Sequence, residues 1–87
     1  MYYIYFLQSL HNNKIYVGST SILPKERLKQ HNEGTNLFTK ANRPFKLVYY
    51  EEYLCKSDAR KRELFYKTGF GKEIKKIIVK YMESLPG

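Results

Sequence analysis

Glu63 is the one charge on a stripe that the chain otherwise keeps small or aromatic. Residues 58–68 read as a helix, and Ala59, Glu63, Tyr66 and Phe70 follow at i, i+4, i+7 and i+11 along one side of it. A carboxylate facing inward is costly unless a cation or hydrogen-bond donors satisfy it. The stripe therefore reads either as a metal-ligating carboxylate or as half of a salt bridge with Arg60 or Lys67. Upstream, Arg27 and His31 are four residues apart in a helical segment and stack on one face. An arginine there is a planar, permanently charged fork suited to anionic oxygens. Tyr3 and Tyr5 share one face of a strand-like run, and Tyr16 and Gly18 one face of another.

Positioning these residues takes few elements. Residues 2–7 and 14–18 are short runs of aromatic and β-branched residues, joined through His11-Asn12-Asn13, where asparagine can supply a positive φ. That is a β-hairpin. Ser19-Thr20-Ser21 is a polar connector, and Pro24 suits the first turn of a helix over 24–32 that stops at Gly34 as its C′ residue. Residues 34–45 follow neither period and are expected to form a loop, with Lys40 and Arg43 as phosphate contacts. A third strand follows over 46–54, its apolar half filled on both faces. Its adjacent Glu51 and Glu52 point to opposite faces and would end the buried stretch. Ser57 is an N-cap candidate for the helix at 58–68, with Asp58 in its first turn. Gly69 and Gly71 are expected to break it, and a last helix over 72–82 sets Ile74, Ile77, Ile78, Tyr81 and Met82 against a lysine face that includes Lys72. The order predicts an α+β domain over 1–83, a three-stranded antiparallel sheet flanked by helices in the order β-β-α-β-α-α, with residues 84–87 a frayed tail.

Bulk properties narrow the partners. The 87 residues make one small domain with 16 basic and 8 acidic side chains, a net charge of +8. Such a field favours polyanions, most simply nucleic acid. Nine tyrosines and five phenylalanines supply both core and surfaces on which bases can stack. No apolar run is long enough to span a membrane, and no signal peptide precedes the first strand. The single cysteine, Cys55, excludes an internal disulfide and fits a reducing, cytoplasmic compartment. It reads as a packed thiol at a strand end.

Tyr3-Ile4-Tyr5, followed by Tyr16-Val17-Gly18, resembles the paired tripeptides of the GIY-YIG nuclease superfamily, and the element order over residues 2–80 is that of its fold. The likeness is greatest to short single-domain bacterial members related to the nuclease module of the excision-repair protein, and extends more distantly to homing endonucleases. The resemblance implies a catalytic set of Tyr5, Tyr16, Arg27, His31 and Glu63, with Gly18 the structural glycine that ends the second tripeptide. It makes Glu63 the ligand of one divalent ion. With one carboxylate and otherwise water and phosphate as ligands, Mg²⁺ (or Mn²⁺) suits this better than Zn²⁺. Arg27 would hold the non-bridging oxygens. Tyr16, assisted by Tyr5, would take a proton from water, and His31 would relay it or hold a phosphate. Lys14, Ser19, Lys40, Arg43, Lys67 and Lys72 would contact nucleic acid. The chain departs from the pattern in carrying Tyr3 in place of the eponymous glycine, Ser19 where some relatives have lysine, and no late asparagine after Glu63.

The expected activity is metal-dependent endonucleolytic hydrolysis of DNA, with RNA the alternative substrate, on structured or damaged forms in repair or recombination. A protein partner would supply sequence recognition, since no separate recognition domain is visible. The alternative from the same residues is a non-catalytic basic nucleic-acid-binding module of the same fold, and a third is an adaptor that docks on another protein.

Overall fold

The fold was analysed in a computed structural model that describes residues 1–86, Phe38 by its backbone alone. Two antiparallel strands, β1 (Tyr2–Ser9) and β2 (Ile15–Thr20), form the expected hairpin. Asn13 takes φ 63° in its loop. The fully buried Ser9 ties that loop down: its hydroxyl accepts from the backbone N–H groups of His11 and Asn12 and donates to the carbonyl of Asn42. Strand β3 (Phe45–Tyr53) adds on the other side of β1, giving the order β2-β1-β3. The pairing of β1 with β3 slips by one residue between Phe6 and Leu7, where Val48 is extra.

The central strand, and not the third, is therefore the one covered on both faces. Every residue from Tyr3 to Ser9 is buried, whereas β3 is an edge strand with Tyr50 and Glu52 open to solvent. Ile4 and Phe6 face one side, against Ala59, Tyr66 and Val79. Tyr5 and Leu7 face the other, against Phe45, Tyr16 and Leu28.

Helix α1 (Pro24–Asn32) has Pro24 in its first turn and closes with Gly34 at φ 81°. The Asn32 side chain then brackets Phe45, accepting from its N–H at 2.7 Å and donating to its carbonyl at 3.1 Å. The expected loop at 34–45 contains one helical turn, α2 (Leu37–Lys40), closed by N–H bonds from Thr39 and Lys40 to the Asn36 carbonyl.

The second half departs from expectation at the junctions. Helix α3 (Lys56–Phe65) starts two residues early, with Cys55 at the N-cap position and no side-chain cap. Ser57 spends its hydroxyl on Cys55 Sγ instead, 2.9 Å away. Cys55 is exposed rather than packed, because β3 has already ended at Tyr53. Glu51 does not merely end a buried stretch. Its carboxylate accepts from the hydroxyls of Tyr49, Tyr53 and Tyr66 and pairs with Arg62. Burial pushes its pKa up, and those donors with the Arg62 charge outweigh this and hold it low. The guanidinium of Arg62 also lies over the Phe65 and Tyr66 rings. This clamp fixes α3 on the sheet on either side of Glu63.

Helix α4 (Gly69–Ser84) starts at the glycines instead of after them. Thr68 caps it, accepting from the N–H of Gly71 at 3.1 Å. A Cβ at Gly71 would sit 1.7 Å from the Phe65 carbonyl oxygen, so α4 abuts the end of α3 as only glycine allows. That contact sets the rotation of α4. Gly71 and Val79 are buried and Ile74 and Ile78 pack beneath, while Ile77, Tyr81 and Phe70, expected inside, are exposed. Ser84 still belongs to the helix, and the tail expected to fray ends in Gly87, outside the described residues. No helix among the described residues is long and apolar enough to cross a membrane.

Candidate active site

A cleft of about 510 Å³ straddles β2 and reaches α1, α3 and α4. Tyr5, Tyr16, Arg27, His31 and Glu63 all line it, from four elements, β1, β2, α1 and α3. Pairing explains the first step. Tyr5 lies directly opposite Gly18 in the hairpin, and a Cβ on residue 18 would fall 2.5 Å from the Tyr5 hydroxyl. The glycine lets the buried phenol lie across β2.

The Tyr5 hydroxyl is the meeting point of the α1 side chains. Arg27 Nε donates to it at 3.3 Å and His31 Nε2 lies 3.0 Å away. The remaining ends are fixed too. Arg27 Nη1 donates to Gln30 Oε1 at 2.7 Å, and His31 Nδ1 is 2.7 Å from Thr39 Oγ1. Thr39 Oγ1 is in turn directed at the Asn36 carbonyl as a donor. That chain assigns the imidazole hydrogen to Nδ1, leaving Nε2 to accept from Tyr5. Burial, with the nearby Arg27 charge, lowers the His31 pKa to about 4, so the ring is neutral at physiological pH. Burial raises the Tyr5 pKa and Arg27 only partly opposes it. Tyr16 stands apart from this network: its hydroxyl accepts from Asn42 Nδ2 at 2.5 Å and its ring meets Phe45 edge-on.

Glu63 occupies the opposite wall. Its side chain is 8 % exposed, with Oε1 accepting from Ser19 Oγ at 2.7 Å and Arg60 at 3.3 Å, and Oε2 from Lys67 at 2.9 Å. The inward carboxylate and the salt bridges to Arg60 and Lys67 are thus both present. Burial pushes the carboxyl pKa up, but Ser19, Lys67 and Arg60 together hold it below the usual range, so it is an anion. Among the described residues no three His, Cys, Asp or Glu side chains group as a metal cage. One ionised carboxylate on an open cleft does fit a hard divalent ion that keeps water and takes phosphate oxygens as its other ligands.

Of the expected nucleic-acid contacts, Ser19 and Lys67 line the cleft. Lys14 lies in the hairpin loop, Lys40 on α2, Arg43 beside Gly34 and Lys72 on the first turn of α4, all away from the cleft lining. Lys75, which the sequence offered only as part of a solvated lysine face, does line it. Burial, with the charges of Lys72 and Lys76, lowers its pKa. Thr39 and Gln30, the partners that orient His31 and Arg27, went unread. Gln30 carried a signal in its i+3 spacing from Arg27; Thr39, in a segment without periodicity, carried none.

Comparisons with known proteins place the chain in a family. A family model described as the GIY-YIG catalytic domain matches residues 1–77. A UPF0213 protein of Clostridium perfringens is 38% identical over 68 residues, covering 77% of this chain and 71% of that relative. A UPF0213 protein of Staphylococcus haemolyticus is 37% identical over 68 residues, covering 77% and 80%. The UPF0213 protein YazA of Bacillus subtilis is 32% identical over 66 residues, covering 75% and 66%. No solved structure matches. By the matched domain, the chain belongs to the GIY-YIG catalytic-domain family.

Proposed function

We propose that the protein is an endonuclease that hydrolyses phosphodiester bonds in DNA, on branched, flapped or damaged forms, with one Mg²⁺ or Mn²⁺ on Glu63, in the cytoplasm. The observation that carries this reading is the convergence of Tyr5, Arg27, His31 and Glu63 on one cleft in a protein of net charge +8. An ion bound at Glu63 would supply Lewis-acid stabilisation of the phosphoryl group and the departing oxygen. The rest is work for the chain's own side chains. Arg27 binds the non-bridging oxygens, its fork pre-aimed by Gln30. The contacts of Tyr5 favour it over Tyr16 as the group that takes the water's proton. Its own proton can pass to the neutral Nε2 of His31 in the same step as it takes one from water, so that no free phenolate, which burial disfavours, has to form. A phosphate on Arg27 offsets the charge that helps to depress His31, so substrate makes the imidazole a better acceptor. Lys75, Arg60 and Lys67 extend the positive lining along the path of the backbone.

One observation favours the non-catalytic alternative: both oxygens of Glu63 are already satisfied by cations of the protein itself. The test is a cleavage assay on labelled single-stranded, duplex, flapped and branched DNA, with RNA alongside, in Mn²⁺ and in chelator. Nicks that appear only with the ion, and fastest on a flap or branch, are expected. Retarded but uncut DNA under every condition would make the protein a binding module.

A further inference from the structure

Glu63 is buried, while the two cations that pair with it are exposed. The carboxylate is 8 % exposed, against 53 % for Lys67 and 64 % for Arg60. Arg60 and Lys67 both contact the carboxylate, and Arg27 and Lys75 add their charges to the same cleft, where Glu63 is the only carboxylate of the lining among the described residues. The position a divalent ion would take on Oε2 is held at 2.9 Å by the Lys67 ammonium. Lys67 lies beyond the end of α3, in the turn that leads to Thr68, and its four-carbon stem can swing without disturbing the helix. A phosphodiester changes the balance of charge. Its anionic oxygens accept the ammonium and at the same time offer ligands to the ion, which the protein alone does not provide.

We propose that Lys67 gates the Glu63 carboxylate: its ammonium holds the metal's place in the free protein and passes to a phosphate when nucleic acid enters, so that ion and nucleic acid bind as a pair. This rests on Glu63 being the metal ligand, as argued above. By linkage, whatever displaces Lys67 tightens the ion, and the ion tightens the nucleic acid by the same factor. The free protein thereby carries no loaded metal to act on unselected bonds.

The test is electron paramagnetic resonance of free Mn²⁺, titrated with wild type, Lys67→Met and Glu63→Gln, each alone and with a short DNA duplex whose integrity is checked afterwards. Lys67→Met alone is expected to bind Mn²⁺ about tenfold more tightly than wild type. The duplex should tighten Mn²⁺ on wild type by a larger factor than on Lys67→Met. Lys67→Gln should repeat the result, and since Ser19 and Arg60 remain on the Glu63 carboxylate both variants should stay folded, which a thermal melt checks. Equal or weaker Mn²⁺ affinity in Lys67→Met would overturn the gate while leaving Glu63 as ligand. Mn²⁺ binding that survives Glu63→Gln would overturn both.

Discussion

At the scale of residues, the two tyrosines of the tripeptides have different surroundings and should have different roles. Tyr5 touches Arg27 and His31; Tyr16 touches Asn42 and Phe45. Removing a general base costs typically ~10²-fold or more. Tyr5→Phe is therefore expected to lower single-turnover cleavage by about 10²-fold, and Tyr16→Phe by roughly tenfold at most. The opposite ranking would return the proton-accepting role to Tyr16, where sequence reading put it. The residue types were legible because a carboxylate on an apolar stripe and an arginine one turn from a histidine are visible in any sequence. The division of labour was not, since Asn42, Thr39 and Ser19 reach the site through folding alone. Ser19 is the sharpest case. Read as a nucleic-acid contact, it donates to Glu63 across 44 positions of chain.

The elements were legible where local signals are strong. The hairpin, the proline-led α1 and its Gly34 stop follow from alternation, fixed φ and positive φ respectively. The α3–α4 junction was misread because glycine looks like a breaker whether it ends a helix or lets two helices touch. The two glycines differ in a way that can be measured. Nothing lies within 4 Å of a Cβ on Gly69, whereas one on Gly71 meets the backbone of Phe65 and Tyr66. Gly71→Ala should cost about 2 kcal/mol and lower Tm by roughly 10 °C. Gly69→Ala should be neutral or slightly stabilising, through loss of unfolded-state entropy. Equal effects in calorimetry would remove the close approach as the reason α4 is rotated to bury Val79 and expose Ile77.

At the scale of the whole molecule, sequence alone indicated a basic single-domain α+β protein and the sheet's composition. It did not indicate that β1 lies between β2 and β3, because the central β1 and the edge strand β3 each carry four aromatic residues. That order brings β2 to the edge, beside α1 and α3, and so creates the cleft. Among the described residues four cations line it, Arg27, Arg60, Lys67 and Lys75. If each neutralises one phosphate, the slope of log affinity against log salt on duplex DNA should be about −3 to −4. A flat dependence would take nucleic acid out of the cleft.

The central claim is that this cleft cleaves through Glu63, and the most direct measurement is cleavage and affinity of the Glu63→Ala protein on the same labelled DNA with Mg²⁺. Cutting should fall by about 10³-fold or more, while DNA binding stays unchanged or tightens, since Lys67 and Arg60 are released towards phosphate. A Glu63→Ala protein that still cuts at the wild-type rate would contradict the account.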